Sequence, residues 1–371
     1  MFLVHLSISY FCLQIQNTTM KNLSNIFFSF LSFEIIFLFT QISNSQTVHF
    51  PFPQHYTYTS GTIKPNNVTQ QQLDDSTKVF YERWKSRYLI NGCDTNQYYV
   101  FWNYEGVGNP PSSISVSEGH GYGMLITALM AGYDVNAKKY FDGMFRYLRA
   151  HPSIYNNYLM AWNQITNCVN SPDGGDDDAT DGDLDIAYSL LLADKQWGSN
   201  GEINYIQEAR NVMNAHLQNT INPITHSVLM GDWSTASDTN YYFGTRTSDF
   251  MLAHFKSFAI ASGNAEWTNV ANECYSLIDA MQTNFSPTTG LLPDFIVKVH
   301  SSPQPAPSNY LESSTDGKYS YNACRDPWRI GMDYLLNGDT RAKVELNKIN
   351  KFIKAKANNN PANISSGYAL N

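Results

Sequence analysis

Apolar residues recur at three- and four-residue spacing in separated stretches of this chain, and the segments between them are polar, so the pattern predicts helices and few strands. The first helix opens near Asp74, where Asp75 and Ser76 offer caps and Val79, Phe80, Trp84 and Tyr88 fall near helical spacing to about Leu89. Further helices are predicted at 117–132, 137–150, 183–197, 202–219, 247–262, 265–284, 325–337 and 340–356. Only short stretches such as 97–102 read as strands. Long loops rich in Asn, Ser, Thr, Pro and Tyr join the helices, which implies an all-α domain with function on its loops. Trp84, Trp197 and Trp267 sit on helical patterns and are expected in the core.

Composition changes the picture at the front end. Residues 46–73 are Thr/Gln/Pro-rich without a period and read as an arm or linker, leaving one domain at 74–371. Residues 1–45 hold only Lys21 and Glu34 as charged groups, and the apolar run 26–39 is too short and too polar for a membrane span. With Met20-Lys21-Asn22 as a basic front and Ser43-Asn44-Ser45 as a cleavage site, they read as an export signal and the protein as secreted. A start at Met20 and an uncleaved anchor are the alternatives.

Loss of residues 1–45 removes one charge of each sign, so the net charge stays at −8. Nucleic acid is excluded as a partner, membrane is not expected after cleavage, and a monomer is the expected state. Cys93, Cys168, Cys274 and Cys324 then allow up to two disulfides in three connectivities. Neither C-x-x-C nor H-E-x-x-H occurs, so a structural zinc or a zincin has no support. Asn67 and Asn363 open glycosylation sequons.

Two stretches carry candidate chemistry. In Ser117-Glu118-Gly119-His120-Gly121-Tyr122-Gly123-Met124, three glycines in five residues cost helix stability, so something must approach this helix start closely. Ser117 is placed to cap it, leaving Glu118 in the first turn with a bulky partner over the glycines. Further on, seven aspartates (173, 176, 177, 178, 181, 183 and 185) fall within thirteen residues and open the next helix. Helix capping accounts for one or two of them. A calcium loop lacks its bidentate Glu, whereas a carbohydrate cleft uses carboxylates for hydroxyls and for proton chemistry. Two helix-opening acidic motifs about 60 residues apart can present their side chains at one end of a helical barrel.

Together with Ala179-Thr180-Asp181-Gly182-Asp183-Leu184-Asp185-Ile186-Ala187, the Glu118 motif resembles glycoside hydrolase family 8, whose members are inverting endo-glycanases on an (α/α)6 barrel. The resemblance runs from about Tyr81 to Ile349 and makes 74–371 the catalytic domain. It implies that Glu118 is the general acid, that Asp181 holds the sugar at the scissile bond, and that Trp162 in Leu159-Met160-Ala161-Trp162 is a stacking platform. Tyr122, Tyr321, Asn322 and Arg325 join the expected substrate-binding set, and no metal or organic cofactor is required. Where cellulase-like members carry an Asp as base, this chain has Asn322, which takes no proton at neutral pH. The block Pro305-Ala306-Pro307-Ser308-Asn309-Tyr310-Leu311-Glu312 resembles the chitosanase and mixed-linkage glucanase branch, in which a Glu of an inserted loop is the base. Glu312 stands in that place, with Asp316 and Asp294 as weaker candidates. Trp328-Arg329 and Arg325 are expected to hold carboxylates and to pack the barrel.

The expectation is therefore a secreted, inverting endo-β-1,4-glycanase acting on a polysaccharide, with chitosan placed first because clustered aspartates would attract a polycation. The alternatives are an endo-β-glucanase of the same family, an inactive polysaccharide-binding protein, and a calcium-dependent structural protein.

Overall fold

The computed structural model describes residues 47–62 and 65–371; the expected export signal at 1–45 lies outside them. Among the described residues no helix is long and apolar enough to cross a membrane. The first helix, α1 (Gln70–Tyr88), starts four residues before the predicted Asp74. Its cap is Thr69, whose hydroxyl accepts from the Gln72 amide while the Gln72 side chain accepts from the Thr69 N–H; this reciprocal pair outcompetes Asp75 and Ser76.

Four successive helix pairs form much of the barrel wall. These are α2 (Ser117–Leu129) with α3 (Ala137–Ala150), α4 (Thr180–Trp197) with α5 (Tyr205–Asn219), α7 (Leu252–Ser262) with α8 (Glu266–Asn284), and α9 (Asp326–Asn337) with α10 (Thr340–Lys356). A one-turn α6 (Thr239–Tyr242) precedes the third pair and brings the described helices to ten. The leading members also touch one another in the order α2, α4, α7, α9. Sequence explains the two layers: α2, α4 and α7 have no separate polar face, α4 burying even its first aspartates, and suit an inner ring, whereas α3, α5, α8 and α10 are amphipathic and suit an outer one. Because each short turn reverses direction, the inner helices run the same way and their N-termini collect at one end. Trp267 and Trp197 are buried and Trp84 packs against the same core, as their positions predict.

Among the described residues, eight short strands decorate the loops. β1 (Leu89–Asn91) pairs with β2 (Tyr98–Val100). β3 (Ser113–Val116), β4 (Asn163–Ile165) and β5 (Val169–Asn170) form an antiparallel sheet in which Val116 lies opposite Asn163. β6 (Thr245–Arg246), β7 (Phe295–Val297) and β8 (Gln304–Pro305) form another, with Arg246 opposite Phe295. Of the three connectivities left open, Cys93–Cys168 forms and ties the β1–β2 turn to the β4–β5 turn; Cys274 is buried and free, Cys324 exposed and free.

Candidate active site

The glycines of the first motif serve helix packing rather than a ligand. A Cβ on Gly182 would lie 2.4 Å from Ser117 Oγ, and one on Gly121 would lie 2.8 Å from the Gly182 carbonyl, so α2 and α4 interlock at their first turns. This close approach sets Glu118 beside Asp181, both at helix N-termini. Ser117 is not the cap: the helix begins at Ser117 itself, after an extended Val116. The Ser117 N–H donates instead to the Trp162 carbonyl at 2.9 Å, which fastens the expected platform residue to the base of the Glu118 turn. Trp162 is half-buried and its indole N–H donates to the Gly174 carbonyl at 2.6 Å.

Glu118 is half-buried and accepts from the Ser117 hydroxyl at 3.4 Å. Desolvation, and then the charge of Asp181, raise its pKa to about 7 against the pull of Arg246 and Arg325. A carboxyl poised there holds a proton for donation near neutrality.

Across the inner ring, a chain of donors leads to the second carboxylate. Arg325, just ahead of α9, donates from Nη1 to Asp181 Oδ2 at 2.7 Å and from Nη2 to Asn322 Oδ1 at 2.8 Å. Asn322 in turn donates from Nδ2 to Glu312 Oε2 at 2.8 Å, and Arg246 Nη2 donates to Glu312 Oε1 at 2.8 Å. Asn322 thus meets a guanidinium with its oxygen and a carboxylate with its NH2, two tasks that an amide performs at once and an ionised Asp cannot. The Glu312 side chain is 36% exposed, and a carboxylate with two of its four lone-pair sites engaged still has room for a water.

The two weaker base candidates are placed differently. Asp316 is fully buried and accepts from the Leu311, Glu312 and Ser313 amides at 2.8–3.0 Å, so it holds the loop that carries Glu312. Asp294 accepts from the Ser320, Asn322 and Ala323 amides and holds the turn that carries Asn322. Each is occupied by backbone donors.

Of the seven aspartates, Asp178, Asp181, Asp183 and Asp185 are buried, which leaves Asp173, Asp176 and Asp177 to supply the exposed negative field expected of this stretch. Asp181 pairs with Arg325, and its Oδ1 receives no hydrogen bond. Asp185 accepts from Arg329 at 2.7 and 3.0 Å and from His254 at 2.9 Å; burial raises its pKa but these partners outweigh it and hold it at about 2. Arg329 lies over the Trp328 ring at 3.9 Å and reaches the Tyr122 hydroxyl at 3.5 Å, so Tyr122 belongs to this wall. Tyr321 is 79% exposed, the most open of the expected contact residues.

Sequence reading missed Arg246. It sits on β6 over the Phe295 ring, within 4 Å of Asp181 and Asp249 as well as Glu312. Two charges, Arg246 and Asp249, in the otherwise uncharged run just before the apolar α7 were the available signal. Desolvation raises buried Asp249 to about 7 despite Arg246. An apolar cavity of about 750 Å³ lined by Phe50, Phe52, Phe80 and Trp84 also reaches Leu129 and Gln196, at the other ends of α2 and α4, away from these groups.

The sequence profile of Glycosyl hydrolases family 8 matches residues 60–369. A beta-glucanase of Niallia circulans is 51% identical over 321 residues, covering 86% of this chain and 76% of its own. An endoglucanase of Bacillus sp. (strain KSM-330) is 43% identical over 325 residues, covering 86% and 68%. Among solved structures, the apo beta-1,3-1,4-glucanase from Paenibacillus sp. X4 superposes with a TM-score of 0.82 at 51% identity, covering 87% of this chain and 82% of that one. A cold-adapted family 8 xylanase, at 19% identity and a TM-score of 0.64 over 88% and 81% of the two chains, shares the fold.

Proposed function

The chain belongs to glycosyl hydrolases family 8 and is an endo-acting glycoside hydrolase on an (α/α)6 barrel, and from that premise we propose that it cleaves β-1,4 bonds of a mixed-linkage β-1,3-1,4-glucan with inversion. Glu118 protonates the leaving oxygen, and Glu312 draws the proton from a water on the opposite face of the ring. The observation that carries this reading is the donor chain from Arg325 through Asn322 to Glu312, which gives the loop carboxylate a fixed place where residue 322 lacks one. Asp181 Oδ1, an acceptor left open beside Glu118, suits a hydroxyl of the sugar at the cleavage point.

The substrate reading departs from the charge argument. Neutral glucan needs hydroxyl acceptors and stacking faces rather than a negative field, and burial of four of the clustered aspartates removes most of what would favour chitosan. The 51% identity to two named glucanases supports the same choice. The Cys93–Cys168 bond supports an exported protein, since such bonds persist in oxidising compartments.

The test is a reducing-sugar assay of the purified chain on lichenan, carboxymethylcellulose, highly deacetylated chitosan and xylan, with proton NMR of the first product. Fastest release from lichenan with the α-anomer appearing first is expected. Chitosan as the preferred polymer would overturn the substrate, and an initial β-anomer would overturn the mechanism.

A further inference from the structure

Beneath the Trp162 loop lies a carboxyl group that the reaction does not use. Asp178 directly precedes the α4 segment and forms a bridge with Ala161. It is 0% exposed, and neither of its oxygens receives a hydrogen bond from any N–H or O–H. The groups that face it are carboxyls: Asp181 and Asp183 from α4, and Asp232 from the loop after α5. Arg149 of α3 acts on Asp183, and His216 of α5 is held neutral by burial and bonds to Thr220 at 2.7 Å. An ionised Asp178 would be a desolvated charge among like charges with no donor, which is prohibitive.

Asp183 is the carboxyl placed to take its hydrogen bond. Asp232 is engaged at both oxygens, by the Asp178 N–H at 2.9 Å and by the Ser153 hydroxyl. Asp183 accepts the Met160 N–H at 2.9 Å on Oδ2, while its Oδ1 is without a donor. The Asp178 and Asp183 carboxyls lie within hydrogen-bond range of each other. A proton on Asp178 donated to Asp183 Oδ1 therefore completes a link from the start of α4 to Met160, two residues before Trp162. The Trp162 N–H donates to the Asp177 carbonyl at 2.7 Å, and the Trp162 carbonyl holds Ser117.

We propose that Asp178 is a neutral carboxylic acid in the working enzyme and a positioning residue, whose hydrogen bond to Asp183 fixes the Met160–Trp162 segment against the Glu118 turn. It touches no substrate. Its effect on sugar binding rests on the reading of Trp162 as a stacking platform; its protonation does not. Burial pushes Asp178 well above the ordinary carboxyl range and Asp183 to about 6, in keeping with one proton shared by the pair.

Two measurements test this. The infrared difference spectrum between the wild type and Asp178→Asn at pH 7 should show the C=O stretch of a carboxylic acid, present in the wild type and lost in the variant. Asp178→Asn keeps a donor of the same size and should hold KM for lichenan within about twofold, whereas Asp178→Ala should raise KM about tenfold, the weight of one lost charge-assisted hydrogen bond. Absence of the acid band, or an Asn variant as impaired as the Ala variant, would overturn the proposal. If Asp178→Ala fails to fold, the band and the Asn variant decide. A normal KM in Trp162→Ala with the band present would remove Trp162 as a platform and leave the protonated Asp178 standing.

Discussion

The two carboxyl groups at the centre of the site are held by opposite means. Glu118 rides on the first turn of α2, which interlocks with α4 through Gly121 and Gly182, so its position follows from helix packing. Glu312 rides on a loop with no regular structure, and its position follows from Asp316 beneath the backbone and from Arg246 and Asn322 at its oxygens. The acid side is rigid because close-packed helices leave no space to move, and the base side because side-chain and backbone donors at 2.8–3.0 Å hold its two carboxylates. Substitutions on the first should therefore act through packing and show first in stability, and those on the second should act through the placing of Glu312 and always show in activity.

The largest effects come from the two carboxyls themselves. Glu118→Gln and Glu312→Ala should each lower kcat by about 10²–10⁴ with KM little changed, because proton transfer is felt in the transition state. Azide separates them: it can replace the activated water and should restore turnover to Glu312→Ala but not to Glu118→Gln on unactivated polymer. Rescue of both, or of neither, would mean that the roles are not divided as the geometry divides them.

Next is the amide bridge. Asn322→Asp sets a second carboxylate against Glu312, so the pair keeps a proton near neutrality and kcat should fall about 10–100-fold. Asn322→Ala, which loses only an orienting group, should cost less. An Asn322→Asp enzyme with undiminished kcat that no longer responds to Glu312→Ala would place the base at position 322.

The helix interlock gives a smaller effect of a different kind. Gly182→Ala drives a methyl into Ser117, with its backbone carbon 2.7 Å away, and should lower stability by about 1–3 kcal/mol, read as a fall in Tm. Asp316→Asn sets an NH2 against amide donors that an oxygen accepted, so it should lower Tm by a similar amount and in addition lower kcat, because the loop that carries Glu312 shifts. A large Tm loss in Asp316→Asn with normal kcat would erase the distinction between the two sides.

This contrast also explains what was legible in sequence. Helix-borne features were: the periods place nearly every helix within a few residues, and Glu118, Asp181 and Arg325 fall at helix starts where the motifs put them. What failed depends on tertiary partners. The glycines of the Glu118 motif read as a ligand surface because what fills them is distant in sequence, the Gly182 backbone about 60 residues away over Gly121 and the Val100, Met144 and Trp84 side chains over Gly123. The aspartates read as an exposed field because burial by Arg325, Arg329 and Met160 has no local signature. Arg246 stayed hidden since one basic residue in a loop carries no period, and Asp316 looked like a base until its backbone donors were seen.

The smallest expected effect concerns pH, and it bears on the acid side alone. Glu118 must be protonated to act, so activity should decline on the alkaline side of a pKa of about 7, about tenfold per unit well above it. The raised value also means that the folded state binds this proton more tightly than the unfolded chain. The stability contributed is full below about 4.5 and is lost as pH rises through about 7. Burial makes the larger part of the shift and the charge of Asp181 the next, while Arg246 and Arg325 pull the other way. Asp181→Asn removes the like charge and frees the Arg325 guanidinium that Asp181 now neutralises, and both changes favour the ionised form. The alkaline limb of kcat/KM should then move toward acid by up to about one unit, burial keeping it above the ordinary carboxyl value. The height of the profile should also drop on the proposed reading of Asp181 Oδ1 as an acceptor for sugar; the limb's position is independent of that height. A limb that stays in place, or moves to higher pH, would show that the group titrating there is not Glu118.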